Sequence, residues 1–388
     1  MAKKILIIDD SALMRRVLSD IINSDKRFKV QDEAKNGLEA LDLIVNYPKL
    51  YDAIVLDVNM PKMDGLELLE QLQKNKITDQ RIIMNSTLTT EGAKETIIAL
   101  EKGALDFVTK PGSFTGVQSD DYKDMVINML VVATGLYIDE VVDHVRPVIN
   151  RETVLQKESK TTVKERDSDN LRKIRNHEYE PHKKLVGEKT GRNKLVAIAC
   201  STGGPKSLKS VIPLLPSNLD APILLVQHMP KGFTETLAIR LNETSKVHVK
   251  EATDGEIIKK GCVYIAPGGT HMKVAESKDG NYKIAITDEP PILGLKPCAN
   301  IMFESLLGAR FDEITCVVLT GMGADGTAGI GKLGEKNNIH VIAQDEKTSI
   351  VYGMPNAVAK ANLTDEIVSL DRVADAIIKN VGVLTNGR

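Results

Sequence analysis

The sequence predicts an α/β protein built from two doubly wound, mostly parallel-sheet domains joined by a flexible linker. Three observations carry that expectation. Short apolar runs alternate with amphipathic segments over residues 4–110, and the same alternation resumes at Lys194. Between them, residues 151–193 hold 12 Lys/Arg and 8 Asp/Glu with one aromatic. Alternating strand and helix patterns predict a parallel sheet covered by helices on both faces. A charged stretch this poor in aromatic side chains cannot bury enough apolar surface to offset its chain entropy, and reads as linker. A chain of 388 residues has room for two or three domains. The boundaries are expected at 1–125, 126–193 and 194–388.

In the first half the expected strands are KILIID (4–9), a weaker KVQDEA (29–34), AIVLDV (53–58), RIIMN (81–85) and DFVTK (106–110). Helical segments such as SALMRRVLSDII (11–22) and GLEALDLIV (37–45) lie between them. Residues 120–150 read as helical, closing this domain and continuing past it. In the second half the strand candidates are LVAIAC (195–200), PILLVQH (222–228), CVYIAP (262–267), YKIAIT (282–287), ITCVVLT (314–320) and IHVIAQ (339–344). Helical patterns intervene at 206–213, 233–243, 297–308 and 324–336, and the turns are rich in glycine.

Composition excludes several classes. At 42% apolar and 27% charged, with a net charge of −2, the chain is ordinary for a soluble protein and offers no basic field for nucleic acid. The four cysteines (Cys200, Cys262, Cys298, Cys316) form no CxxC pair, so neither a zinc site nor a disulfide framework is expected. The start of the chain does not read as a signal peptide, and the apolar run 125–138 is too short to span a bilayer. A reduced, cytoplasmic protein is expected.

Two sets of residues carry chemistry. Asp9 and Asp10 follow the first strand and Asp57 sits in the third, so all three converge on one sheet edge, where ligands bind in such folds. Three carboxylates together repel and call for a cation, and an all-oxygen set suits Mg²⁺. One of them could accept a phosphoryl group. Ser86 could then hydrogen-bond its oxygens and Lys110 could neutralise them. As a bland alternative, the Asp residues cap helices and the lysine faces solvent; five positions at the ends of four strands favour the site.

These residues lie in a pattern that resembles the receiver domain of two-component response regulators. ILIIDDSALMR, IVLDVNMPKMDG, the Ser86-Thr87 pair and GALDFVTKP carry the resemblance over residues 1–112. It implies a flavodoxin-like domain in which Asp57 takes phosphate from a chemotaxis histidine kinase. Asp10, Asp57 and the Asn59 carbonyl would hold Mg²⁺, with Asp9 helping through water. Ser86 would be the switch hydroxyl, with Thr87 beside it, and Lys110-Pro111 would match the family's Lys-Pro, often a cis bond.

The second set centres on VAIACSTGGP (196–205). Ser201 could be a nucleophile, a helix cap ahead of Pro205, or part of a phosphate-binding turn. ACSTG is not a G-x-S-x-G elbow, and the turn lacks the Gly-Lys-[Ser/Thr] ending of a nucleotide loop. His228 ends the next strand, and Asp325 follows the strand 314–320. Nucleophile, base and orienting carboxylate are thus all available at strand ends. Gly203, Gly204 and the Gly321-Met322-Gly323 run could bring backbone N–H groups to a reacting carbonyl.

Residues 194–385 resemble the catalytic domain of the bacterial chemotaxis protein-glutamate methylesterase/glutamine deamidase family, usually called CheB. STGGPKSL, PILLVQHMPKGFTETLAIRLN, VKEATDGE, VYIAPGGTHM, VLTGMGADGTAGI and IAQDEKTSIVYGMPNAV carry it in order. The resemblance implies a Rossmann-like domain with a triad of Ser201, His228 and Asp325, and with Thr202 and the Met322 N–H at the oxyanion. It implies a phosphorylation-activated hydrolase acting on glutamate methyl esters, and on specific glutamines, of methylated chemoreceptors. No cofactor is expected for ester hydrolysis, no nucleic-acid partner, membrane proximity only through the receptors, and a monomer. The chain departs from the usual family pattern at Ala199-Cys200, and in LGLKPCANIMF, where the usual His-Arg-Pro-Ser is missing and Asn300 replaces an Asp. Cys200 raises the question of a thiol nucleophile, but its side chain should point to the other side of the strand from Ser201. A DNA-binding output domain and a non-catalytic scaffold are the rival readings. The first lacks a basic recognition helix, and the second does not account for an intact triad.

Overall fold

The structure is a computed structural model that describes residues 1–112, 116, 119–136 and 193–384. The expected linker over 137–192 lies outside the described residues.

The N-terminal sheet contains β1 (Lys3–Ile8), β2 (Phe28–Ala34), β3 (Ala53–Asp57), β4 (Ile82–Thr87) and β5 (Asp106–Lys110), all parallel, in the order β2-β1-β3-β4-β5. Ile5–Ile8, Ile54–Leu56 and Ile82–Met84 are buried. Both faces of the sheet are covered, so these strands read as continuous apolar runs. The helices are α1 (Ala12–Asn23), α2 (Gly37–Asn46), α3 (Gly65–Lys74), α4 (Thr90–Glu101) and α5 (Asp120–Ala133). Ser11, Asn36, Asp64, Thr89 and Ser119 cap them, each accepting a backbone N–H from the first turn. Strand order reverses between β1 and β3, which opens a crevice at Asp9 and Asp57. α5 runs through residue 125 and buries Tyr122, Val126, Ile127 and Leu130 with the Ile5, Ile7, Val55 and Ile83 side of the sheet.

The C-terminal domain contains β6 (Lys194–Cys200), β7 (Ile223–Gln227), β8 (His248–Glu251), β9 (Cys262–Ile265), β10 (His271–Glu276), β11 (Tyr282–Thr287), β12 (Glu313–Val318), β13 (Ile339–Gln344) and β14 (Glu366–Val368). Seven of these form a parallel sheet in the order β14-β13-β12-β6-β7-β9-β8. Its helices are α6 (Gly204–Val211), α7 (Phe233–Thr244), α8 (Ala299–Glu304), α9 (Thr327–Gly334), α10 (Met354–Lys360) and α11 (Leu370–Val381). The sequence reading placed 282–287 among the strands of this domain. It is a strand, and it forms an antiparallel hairpin with β10, outside the parallel sheet. The two strands are joined by a tight turn closed by Gly280 N to Ser277 O at 2.9 Å, and a parallel pairing would need a long crossover.

The two domains touch. α4 packs on α6 and α7, with Ile97 and Leu100 against Leu237 and Leu241. Phe107 of β5 stacks on Phe233 of α7, ring centroids 4.7 Å apart. Arg240 pairs with Glu101 at 2.9 Å, and Lys209 reaches the same carboxylate at 3.5 Å.

Candidate active site

Two sites are built at strand ends, one in each domain. In the first, Asp9, Asp10 and Asp57 place ligand oxygens within 4.8 Å of one another. Asp9 and Asp57 are buried and Asp10 is exposed. An all-carboxylate cluster fits a hard divalent cation such as Mg²⁺. Lys110 Nζ sits 2.9 Å from Asp9 Oδ2 and 2.7 Å from Asp57 Oδ1. Burial pushes the Asp57 carboxyl up to about 6 against the pull of Lys110, and the neighbouring Asp9 adds to the rise. The same two carboxylates raise Lys110 despite its burial.

Ser86 is buried and its hydroxyl donates to Gly92 O at 3.2 Å, whereas Thr87 is exposed and meets Thr89 Oγ1 at 3.2 Å. The Asn59 side chain turns away to Glu95, 3.1 Å from it. The Lys110-Pro111 bond is not cis, contrary to expectation; among the described residues Lys296-Pro297 is the one cis bond. The lysine is turned inward by its two ion pairs.

In the second site, His228 Nε2 lies 2.8 Å from Asp325 Oδ2. The β6–β7 register pairs Cys200 with Gln227, so Ser201 and His228 follow at neighbouring positions, and His228 N donates to Cys200 O at 3.2 Å. Asp325 also accepts from Ala299 N (2.6 Å), Asn300 N (3.0 Å), Gly326 N (2.9 Å) and the Cys298 thiol (3.2 Å). Burial works against its charge, but His228 and these N–H groups outweigh it and hold the carboxyl below its ordinary range. Asp325 therefore caps the start of α8 while orienting the imidazole.

Gln227 ties the strand ends together. Its Nε2 donates to Ser201 O (3.0 Å) and His228 O (3.2 Å), and its Oε1 accepts the Cys200 thiol at 3.0 Å. Cys200 is fully buried, and burial pushes its thiol far up. A neutral thiol committed to Gln227 is a poor nucleophile. The helix after Ser201 is capped by Gly203, at φ 75°, not by the serine.

Gly204 was expected to offer its N–H to a reacting carbonyl. It instead closes the turn onto Ser201 O at 2.7 Å, so that donor is used. Ser201 N is likewise bonded to Thr320 O at 3.0 Å, whereas Met322 N makes no hydrogen bond among the described residues. Gly321 must be glycine here: a Cβ would sit 2.8 Å from Ser201 Cβ and against Met354 Sδ.

Two features escaped the sequence reading. Asn300, where the family usually has Asp, accepts from Gly326 N (3.1 Å) and Gly329 N (2.7 Å), capping α9 as a neutral group. Asp106, at the start of β5, is buried with its carboxylate facing the Thr202 hydroxyl and the Gly203 N–H. Burial pushes that carboxyl up to about 7, against the pull of the Phe107, Thr202 and Gly203 donors. The N-terminal domain thus sets a carboxylate on the turn that carries Ser201.

The family model for CheB methylesterase matches residues 196–377, and that for the response regulator receiver domain matches 5–118. A protein-glutamate methylesterase/protein-glutamine glutaminase of Geobacillus kaustophilus is 38% identical over 379 residues, covering 98% of this chain and 99% of that protein. One of Pyrococcus horikoshii, of the same name, is 38% identical over 384 residues, covering 99% and 95%. The crystal structure of the Thermotoga maritima CheB methylesterase catalytic domain is 39% identical, covering 48% of this chain and 98% of that one, with a TM-score of 0.46.

Proposed function

The chain belongs to the family of protein-glutamate methylesterase/protein-glutamine glutaminases, and from that premise we propose that Ser201, His228 and Asp325 hydrolyse glutamate γ-methyl esters on chemoreceptors under control of Asp57. The observation that carries this reading is the 2.8 Å His228–Asp325 contact beside the register-adjacent Ser201. With Nε2 committed to Asp325, Nδ1 is the basic nitrogen that takes the Ser201 proton. Ser201 Oγ then attacks the ester carbonyl, and the Met322 N–H and Thr202 hold the oxyanion. Each such donor is worth about 3–4 kcal/mol in the transition state. Collapse expels methoxide, which leaves as methanol with the proton from His228. Water, deprotonated by the same nitrogen, attacks the acyl-serine and releases the glutamate carboxylate. On a glutamine side chain the leaving group is ammonia.

Asp57 takes the phosphoryl group from a histidine kinase, with Ser86 and Lys110 binding its oxygens. Asp9, Asp10, Asp57 and the Asn59 carbonyl would hold Mg²⁺, which when bound offsets charge at the phosphoryl oxygens. In the unphosphorylated chain, α4 and β5 cover the catalytic turn, so the receiver restrains the esterase. The enzyme acts in the cytoplasm, reaching the membrane only through its receptors, and needs no cofactor for ester hydrolysis. Among the described residues no helix is long and apolar enough to cross a membrane. Ser201→Ala tests the triad: methanol release from methylated receptor should vanish while thermal melting is unchanged. Substantial residual release would sink the serine assignment.

A further inference from the structure

Asn85 is wholly buried two residues before the end of β4 and has no part in the phosphoacceptor site proposed above. Its Oδ1 accepts the Tyr122 hydroxyl at 2.9 Å. Its Nδ2 is buried and makes no hydrogen bond among the described residues. A buried unpaired amide donor is destabilising, so a retained one calls for a reason. The register supplies one. Asn85 pairs with Asp57 on β3 and with Val108 on β5. Paired residues on parallel strands point to the same face, about 5 Å apart. Val108 has no side-chain acceptor, so Asp57 is the polar neighbour on that face. Tyr122, which fixes the amide's orientation, also lies within the fields of Asp9 and Asp57. The other donors are engaged: Lys110 Nζ is bonded to Asp9 and Asp57, and Ser86 Oγ to Gly92 O.

We propose that the Asn85 amide, held by Tyr122, is a further ligand of the phosphoryl group on Asp57, supplying a donor that no existing bond must release. This rests on Asp57 being the acceptor. In the step, an Asp57 oxygen attacks the phosphorus of the donor and the bond to the leaving group breaks; with acetyl phosphate, acetate departs. The new acyl phosphate presents three oxygens where one carboxylate oxygen stood. Asn85 Nδ2 donates to one of them without proton transfer. Because Tyr122 lies on α5, the same bond ties the phosphoryl group to that helix.

The test uses the full chain with acetyl phosphate and Mg²⁺, following the lifetime of the ³²P-labelled acyl phosphate, and titrates beryllofluoride by its effect on melting temperature. Asn85→Val should shorten the acyl-phosphate lifetime and weaken beryllofluoride binding by about 10–150-fold, the loss of one hydrogen bond to a charged group. Because the substitution also removes the acceptor of the buried Tyr122 hydroxyl, each variant's beryllofluoride shift is read against its own unliganded melting temperature. Tyr122→Phe, which keeps the amide but frees it, should fall between the two, and Asn85→Ala gives the same reading if valine packs badly. Equal lifetimes and beryllofluoride affinities in Asn85→Val, Asn85→Ala and wild type overturn the proposal. A wild-type chain that takes no label, or keeps it in Asp57→Asn, refutes the underlying assignment instead.

Discussion

Asp106→Asn separates two views of how the receiver restrains the esterase. Asp106 is buried against Thr202 and Gly203, and burial lifts its carboxyl to about 7 from an ordinary value near 3.8. In the undocked receiver it would face water and keep that ordinary value. The docked state thus favours the protonated acid. Its contribution to docking is complete below about pH 4 and is lost as pH rises through about 7. A gap of roughly 3 units corresponds to at most about 4 kcal/mol against docking at pH 8, and a third of that already shifts the open population tenfold. The asparagine side chain can still accept from Thr202 and Gly203 but carries no charge. Basal methanol release by unphosphorylated Asp106→Asn at pH 8 should therefore fall below wild type, by about tenfold if a third of that maximum is realised. The ratio of full-length to fragment 193–388 activity should rise between pH 4 and 8 in wild type and stay flat in the variant. Dividing by the fragment cancels any pH dependence that belongs to the catalytic domain alone. Equal or higher basal release in Asp106→Asn at pH 8 would show that the carboxylate's hydrogen bonds outweigh its burial, and the reasoning would fail.

Asp57→Asn should abolish stimulation by acetyl phosphate yet keep basal methanol release, since the triad makes no use of that carboxylate; retained stimulation would move the acceptor elsewhere. Phe107→Ala should raise basal release by about 5–20-fold, because the stack on Phe233 at 4.7 Å exists only when the domains are docked and such pairs add about 0.5–1.5 kcal/mol beyond burial. An unchanged rate would place the restraint in other contacts.

Both candidate sites were legible because their residues stand at strand ends, where continuous apolar runs stop abruptly in Asp, Ser, His or Lys. Asp9, Asp57, Lys110, Ser201 and His228 all have that signature, and the register then brings them together. The support around them was not legible. Gln227 reads as one polar residue in an apolar run until its amide is seen bonded to both Ser201 O and His228 O. Asp325 resembles a cap for the helix that follows it, and it does accept Gly326 N, but the helix it starts is α8, from a remote segment. Asp106 opens a strand, where a polar residue is ordinary, and its role comes from a domain 90 residues away in sequence. The 282–287 segment has strand periodicity, but periodicity does not say which sheet a strand joins. Only the turn at 277–281 decides that.

β5 explains why the two sites can answer to one event. Its last residue, Lys110, is bonded to Asp57, while its first two, Asp106 and Phe107, rest on the catalytic turn and on Phe233. Those ends are about 13 Å apart at 3.3 Å per residue. The strand pairs only with β4 among the described residues. An edge strand is bound to the sheet on one side only, so moving it breaks half as many ladder bonds as moving a central one. α4 leads into it and carries Glu101, Ile97 and Leu100 onto the catalytic domain, and Gly92 O of the same helix holds the Ser86 hydroxyl. On the proposed phosphorylation of Asp57, Ser86 would leave Gly92 to reach a phosphoryl oxygen, and Lys110, following the new charge, would pull on β5. Both changes act on elements that cover Ser201, and neither requires the catalytic core to move. The restraint and its release can therefore lie in the receiver alone, with the His228–Asp325 pair already formed beneath it.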